Sequence, residues 1–111
     1  MIIHKSLADG RWFEFSFIDQ MANIGTDVER MLNWRKRGKL ESSENALLRA
    51  LELLEFTIQD PKNVRRRKEL GRIKEVLLDY FYGDNKYGYT DQAWSQYFYF
   101  FAFGSARARG L

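Results

Sequence analysis

Two pairs of acidic residues, Glu52 with Glu55 and Glu75 with Asp79, are the first places where this chain could do chemistry. Carboxylates three or four residues apart share one face of a helix, and two such pairs on facing helices can hold a divalent cation that polarises a phosphoryl oxygen. The spacing opposes that use. In an antiparallel hairpin turning at Asp60, Glu55 is expected opposite residue 65 and Glu52 opposite residue 68, two or more turns from Glu75 and Asp79. The acids then read as solvated helix faces. Other reactive types are scarce. The single histidine is His4, near the start, and there is no cysteine, so the chain's content rules out a catalytic thiol, a disulfide and a thiolate zinc site. Neither a Ser-His-Asp constellation nor a Glu-x-x-His motif can be assembled, and no enzymatic activity, cofactor or metal is expected.

The cations are more informative. The segment NVRRRKELGR carries Arg65, Arg66, Arg67, Lys68 and Arg72, Lys62 precedes it, and Arg107 and Arg109 lie near the other terminus. If the chain folds as an antiparallel bundle, all of these gather at one end together with Arg11. The net charge is only +3, so such a cluster polarises the field along the bundle. Cations at the start of a helix oppose its dipole and repel one another. Lys62, Arg65, Arg66, Arg67, Lys68, Arg107 and Arg109 are therefore the candidate nucleic-acid-binding residues, with RNA and DNA both open. The plainer alternative is that they are solvated or paired with Glu55, Asp60 and Glu69. A second group, Arg35, Lys36, Arg37 and Lys39, falls at the opposite end, where it complements a helix dipole and needs no ligand.

The elements that must position these groups read as four helices. Phe17, Met21, Ile24, Val28, Met31 and Leu32 form one apolar stripe, which predicts a helix over roughly residues 11 to 37 with Gly38 as its stop. Ser42 or Ser43 is the expected N-cap of a second helix, to residue 59, with Leu47, Leu51, Leu54 and Ile58 inward. Asp60 and Pro61 signal a third helix over 61 to 82, carrying Leu70, Ile73, Leu77 and Tyr80. After the turn-rich GDNKYGY, Thr90 caps a fourth helix over 91 to 109. Short connections make neighbours antiparallel, so the expected fold is all-α, a single up-down-up-down four-helix bundle spanning residues 1–111.

The phrases LADGRWFEFSFIDQMANIG, ALELLEFTIQDPKN and LLDYFYGDN resemble a family of small, uncharacterised bacterial proteins across most of the chain. That resemblance implies a compact helical protein and assigns no catalytic residue. In architecture the plan also resembles the basic bundles encoded in ribosomal-RNA intervening sequences and those that accompany diversity-generating reverse transcriptases. Those groups imply a homo-oligomer that binds RNA or a nucleic-acid enzyme, by analogy of fold alone. The acidic pairs are similar to the magnesium-binding acids of all-helical nucleotide pyrophosphohydrolases. However, the second pair has one residue too many between its members, which leaves a magnesium-dependent hydrolase as a remote alternative.

One excess remains. Residues 97 to 103, YFYFFAF, hold six aromatic side chains in seven positions, far short of the roughly 20 apolar residues needed to cross a membrane. On a helical wheel Trp94, Tyr97, Phe98, Phe101, Ser105 and Ala108 face inward, while Tyr99, Phe100, Phe103 and Ala106 point away. On the first helix Phe13, Phe17 and Met21 are expected inward, with Trp12, Phe15 and Ala22 away from them. Trp12, Phe15, Tyr99, Phe100 and Phe103 thus form the expected interface of a homo-oligomer, or of a structural or regulatory module that binds a protein partner. The alternative cover is the segment MIIHKSL folding back over Phe100 and Phe103. The opening residues lack a secretory leader's basic, apolar and cleavage segments, and a cytoplasmic protein is expected.

Overall fold

The structure is a computed structural model and describes residues 10–110; His4 and the MIIHKSL segment lie outside the described residues. Four helices, α1 Phe17–Lys36, α2 Leu40–Gln59, α3 Arg67–Tyr82 and α4 Asp91–Ala108, run up, down, up and down as an all-α bundle. Two 3-10 turns, Arg11–Glu14 and Pro61–Arg66, precede α1 and α3. Among the described residues no helix is long and apolar enough to cross a membrane.

α1 is the centre of the packing, lying along α2 on one side and α4 on the other. Its stripe is buried as the 3.6-residue period requires, with Met21, Ile24, Val28 and Met31 fully enclosed. α2 adds Leu47 and Leu54, α3 adds Leu70 and Leu77, and α4 closes the core with Trp94, Phe98 and Phe101. The inward face expected for α4 is the one buried, except that Tyr97 is half-buried and Ala108 is exposed. α3 and α4 meet mainly through long side chains: the Tyr80 and Trp94 rings lie 6.2 Å apart, edge to face, and the Tyr97 hydroxyl reaches Glu69 at 3.5 Å.

The first helix is shorter than its apolar period suggests. Gly10 adopts a left-handed φ of 94°, residues 11–14 make a 3-10 turn, and Phe15 is extended. Only at Ser16 does α1 begin, where the hydroxyl accepts from the Asp19 amide at 3.1 Å. This break turns Trp12 inward and leaves Phe13 on the surface, the reverse of what a continuous helix would do. α2 starts earlier than expected, at Leu40, because Ser43 is not its cap. The Ser43 hydroxyl is buried and donates to the Met31 carbonyl at 2.7 Å.

A buried polar cluster ties these irregular turns together. Trp12 Nε1 donates to Thr57 Oγ1 at 2.9 Å, and Gln20 Nε2 donates to the Trp12 carbonyl at 3.1 Å and to Asp60 Oδ2 at 2.7 Å. Asn63 Nδ2 donates to Gln20 Oε1 at 2.9 Å and to the Thr57 carbonyl at 3.0 Å. Gln20, Thr57 and Asn63 are wholly enclosed, so each bond replaces one that water would otherwise supply.

Candidate nucleic-acid interface and apolar face

The placement of the candidate cations depends on how the turn before α3 is built. Asp60 caps it: its Oδ1 accepts from the Lys62 amide at 3.1 Å, and Pro61 takes the first position. Burial alone would raise the Asp60 carboxyl. Its hydrogen bonds from Lys62 and Gln20 outweigh burial and hold it below the ordinary carboxylate value. Lys62 is committed here, since its ammonium pairs with Asp60 and donates to the Phe13 carbonyl at 2.9 Å. It fastens the N-terminal turn to the α2–α3 connection.

The other cations are all exposed. The Arg66 guanidinium lies 4.3 Å from the centre of the Phe17 ring at the start of α1, and Arg67 Nε donates to the Ile58 carbonyl at 3.0 Å. The side chains of Arg65, Lys68 and Arg109 have no ion-pair or hydrogen-bond partner among the described residues, and Glu55, one of the expected partners, is taken by Lys74. The end of α4 reaches the same place, because Ser105 Oγ donates to Asp19 in the first turn of α1 at 2.5 Å. Arg107 departs from the group: its guanidinium lies 5.8 Å from the centre of the Phe103 ring and belongs to the aromatic row of α4. Arg72 leans the other way, 5.9 Å from the Tyr87 ring centre.

The acidic residues take up other work. Glu55 pairs with Lys74 at 3.1 Å rather than facing residue 65, because the six-residue 3-10 turn uses up chain at the foot of α2 and shifts α3 along it. Glu75 accepts from the Tyr87 hydroxyl at 2.7 Å, and among the described residues no three His, Cys, Asp or Glu side chains converge on a common point.

The expected oligomer face divides in two. Trp12 is 2% exposed and packs inside the protein with its indole on Thr57, so it is a core residue. Phe15, 39% exposed, stands edge to face with Trp12 at 5.5 Å. On α4 the surplus is real: Tyr99, Phe100 and Phe103 are 67%, 69% and 50% exposed, and the Tyr99 and Phe103 rings stack at 6.2 Å. Beside them runs a groove of about 260 Å³ between α1 and α4, with Ala22, Gly25 and Thr26 on one wall and Ser95, Phe98 and Ala102 on the other. That groove was missed in the sequence, although its signal was present as small residues at helical spacing on both helices. Comparison with protein-family models, curated proteins and solved structures finds no match for this chain.

Proposed function

We propose that the protein is a non-enzymatic, self-associating helical bundle that binds the phosphate backbone of RNA or DNA at the end where the Pro61–Arg66 turn, the start of α3 and the end of α4 meet the start of α1. One observation carries this reading. Arg65 and Lys68 stand exposed next to Arg66 and Arg67 in the chain, Arg109 is exposed at the end of α4, and none of the five side chains has a carboxylate partner among the described residues. Unpaired cations that crowd a helix start repel one another and oppose its dipole, and a polyanion relieves both terms.

The test is the salt dependence of binding to mixed-sequence RNA and duplex DNA. Each phosphate neutralised releases counterion, so log K falls against log salt with a slope of about −0.9 per contact on duplex DNA and about −0.7 on single strands. Arg65→Glu with Lys68→Glu is the informative variant, because neither side chain makes a hydrogen bond or ion pair among the described residues. It is expected to remove binding with helicity unchanged. Unaltered affinity in that variant would overturn the nucleic-acid reading. A second reading has its own observation: the exposed rings on α4 suit a protein partner with the cations incidental. It is favoured if binding to nucleic acid is absent while the α4 face still associates.

A further inference from the structure

On α4, Tyr99, Phe103 and Arg107 follow one another at intervals of four, ring stacked on ring and guanidinium over ring, with Phe100 beside them. Toward the start of the helix the same face carries only uncharged polar groups, Gln92, Ser95 and Gln96, around a shallow hollow bordered by Tyr99. The face is therefore apolar in the middle, cationic at one end and neutral at the other.

Two copies of such a helix can pair in two directions. Side by side in parallel they set Arg107 against its own counterpart, cation on cation with no anion on that face between them. Paired antiparallel they keep the cations apart. Of the neutral groups, Gln92 lies as far before the midpoint between Tyr99 and Phe100 as Arg107 lies after it. A two-fold axis at that midpoint sets Tyr99 of each copy against Phe100 of the other, Phe103 against Gln96, and Arg107 against the hydrogen-bonding amide of Gln92. Each of these residues projects within about a third of a turn of a common direction, given 100° per residue.

The chain's own N-terminal residues are the other candidate cover. They leave the described structure at Gly10, and the following turn is fastened to α2 through Thr57 and to the α2–α3 connection through Lys62. α2 lies diagonally across the bundle from α4 and makes no substantial contact with it.

We infer that the occupant of the α4 face is a second copy of this chain, docked α4 against α4 in antiparallel fashion about a two-fold axis between Tyr99 and Phe100. The inference rests on the self-association part of the proposed function and specifies its geometry. The two basic ends then point away from one another, so one dimer holds two separate stretches of phosphate backbone.

The absence of cysteine makes the geometry testable by engineered disulfides. Gln92→Cys with Arg107→Cys places two thiols roughly 22 Å apart along one helix at about 1.5 Å per residue, too far to join within a copy. Oxidation is expected to yield a covalent dimer from this double variant, whereas either single variant stays uncrosslinked. Phe100→Lys with Phe103→Lys is expected to halve the mass seen by light scattering at about 10 μM, with helicity retained. A native protein that is monomeric there removes self-association and this inference together. A native oligomer that crosslinks through Gln92→Cys alone or Arg107→Cys alone, or through neither these nor the double variant, overturns the antiparallel pairing and leaves self-association standing.

Discussion

A β-carbon added at Gly25 would lie 2.8 Å from the Phe98 β-carbon, so α1 and α4 cross at a point that only glycine permits. The contact explains why α4, the most aromatic helix of the chain, can still press its backbone close to α1. Gly25→Ala gains helix propensity but forces the two helices apart or pushes Phe98 off its rotamer. The net expectation is a loss of about 1–3 kcal/mol, and Gly25→Leu should lose more. Urea unfolding followed by circular dichroism measures it, and a variant as stable as the parent would mean that α4 shifts freely.

The second prediction separates core from surface at Trp12. An exposed interface tryptophan would change the oligomer when removed and leave the fold intact. With its ring buried and its indole nitrogen on Thr57, Trp12→Ala is instead expected to cost about 3–5 kcal/mol and to lower the unfolding midpoint at any protein concentration. Thr57→Val keeps the shape and removes the acceptor. Stranding a buried donor costs about 1–3 kcal/mol, so the smaller loss should appear in that variant.

The helices were readable because an apolar residue every three or four positions has one physical meaning in a helical bundle, and Met21, Ile24, Val28 and Met31 are buried as their spacing requires. The outward turn of Tyr99, Phe100 and Phe103 followed from the same 100° step. Periodicity is blind to breaks, however. Ser16 and Asp19 carried the signature of a helix start, yet the apolar residues before them continued the pattern, so Trp12 was placed on the wrong side. The 3-10 turn at Pro61–Arg66 left no mark in the hydrophobic pattern either, and missing it displaced the expected partner of Glu55 from residue 65 to Lys74. The topology alone led to the expectation of one basic end, yet Arg107 joins the aromatic row of α4 and Arg72 leans toward Tyr87. Which of the cations were already engaged, as Lys62 is, depended on turn geometry that composition does not encode.

The third prediction concerns acid. Asp60 has a folded-state pKa below its ordinary 3.8, so its bonds to Lys62 and Gln20 stabilise the fold fully above that value. Their contribution is lost as pH falls below 3.8 toward the lower folded-state value. Asp60→Asn is expected to be less stable at neutral pH, since Lys62 loses its charged partner, and to flatten the decline in stability below pH 3.8. Chemical denaturation across that range gives both quantities. An unchanged slope in the variant would show that other carboxylates govern acid unfolding.

The fourth prediction lies at the opposite end of the bundle, in the open cleft where Arg35, Tyr80, Thr90 and Asp91 meet. The Tyr80 hydroxyl donates to Asp91, and burial together with that carboxylate pushes its pKa up to about 12, against a smaller downward pull from Arg35. The Arg35 guanidinium lies 4.9 Å from the Tyr80 ring centre. A tyrosine whose pKa is raised on folding contributes its full stability below the ordinary value of 10.0 and loses it as pH rises through about 12. Two substitutions should move it in opposite directions. Asp91→Asn removes the negative neighbour and brings Tyr80 down toward the ordinary value, though burial keeps it above. Arg35→Met removes the positive neighbour and drives it higher still. Tyrosinate absorbance in the alkaline range, read as the difference between each protein and its Tyr80→Phe counterpart, isolates this one residue. Shifts of the same sign in both variants would mean that Asp91 and Arg35 act on Tyr80 by altering the cleft rather than by their charge.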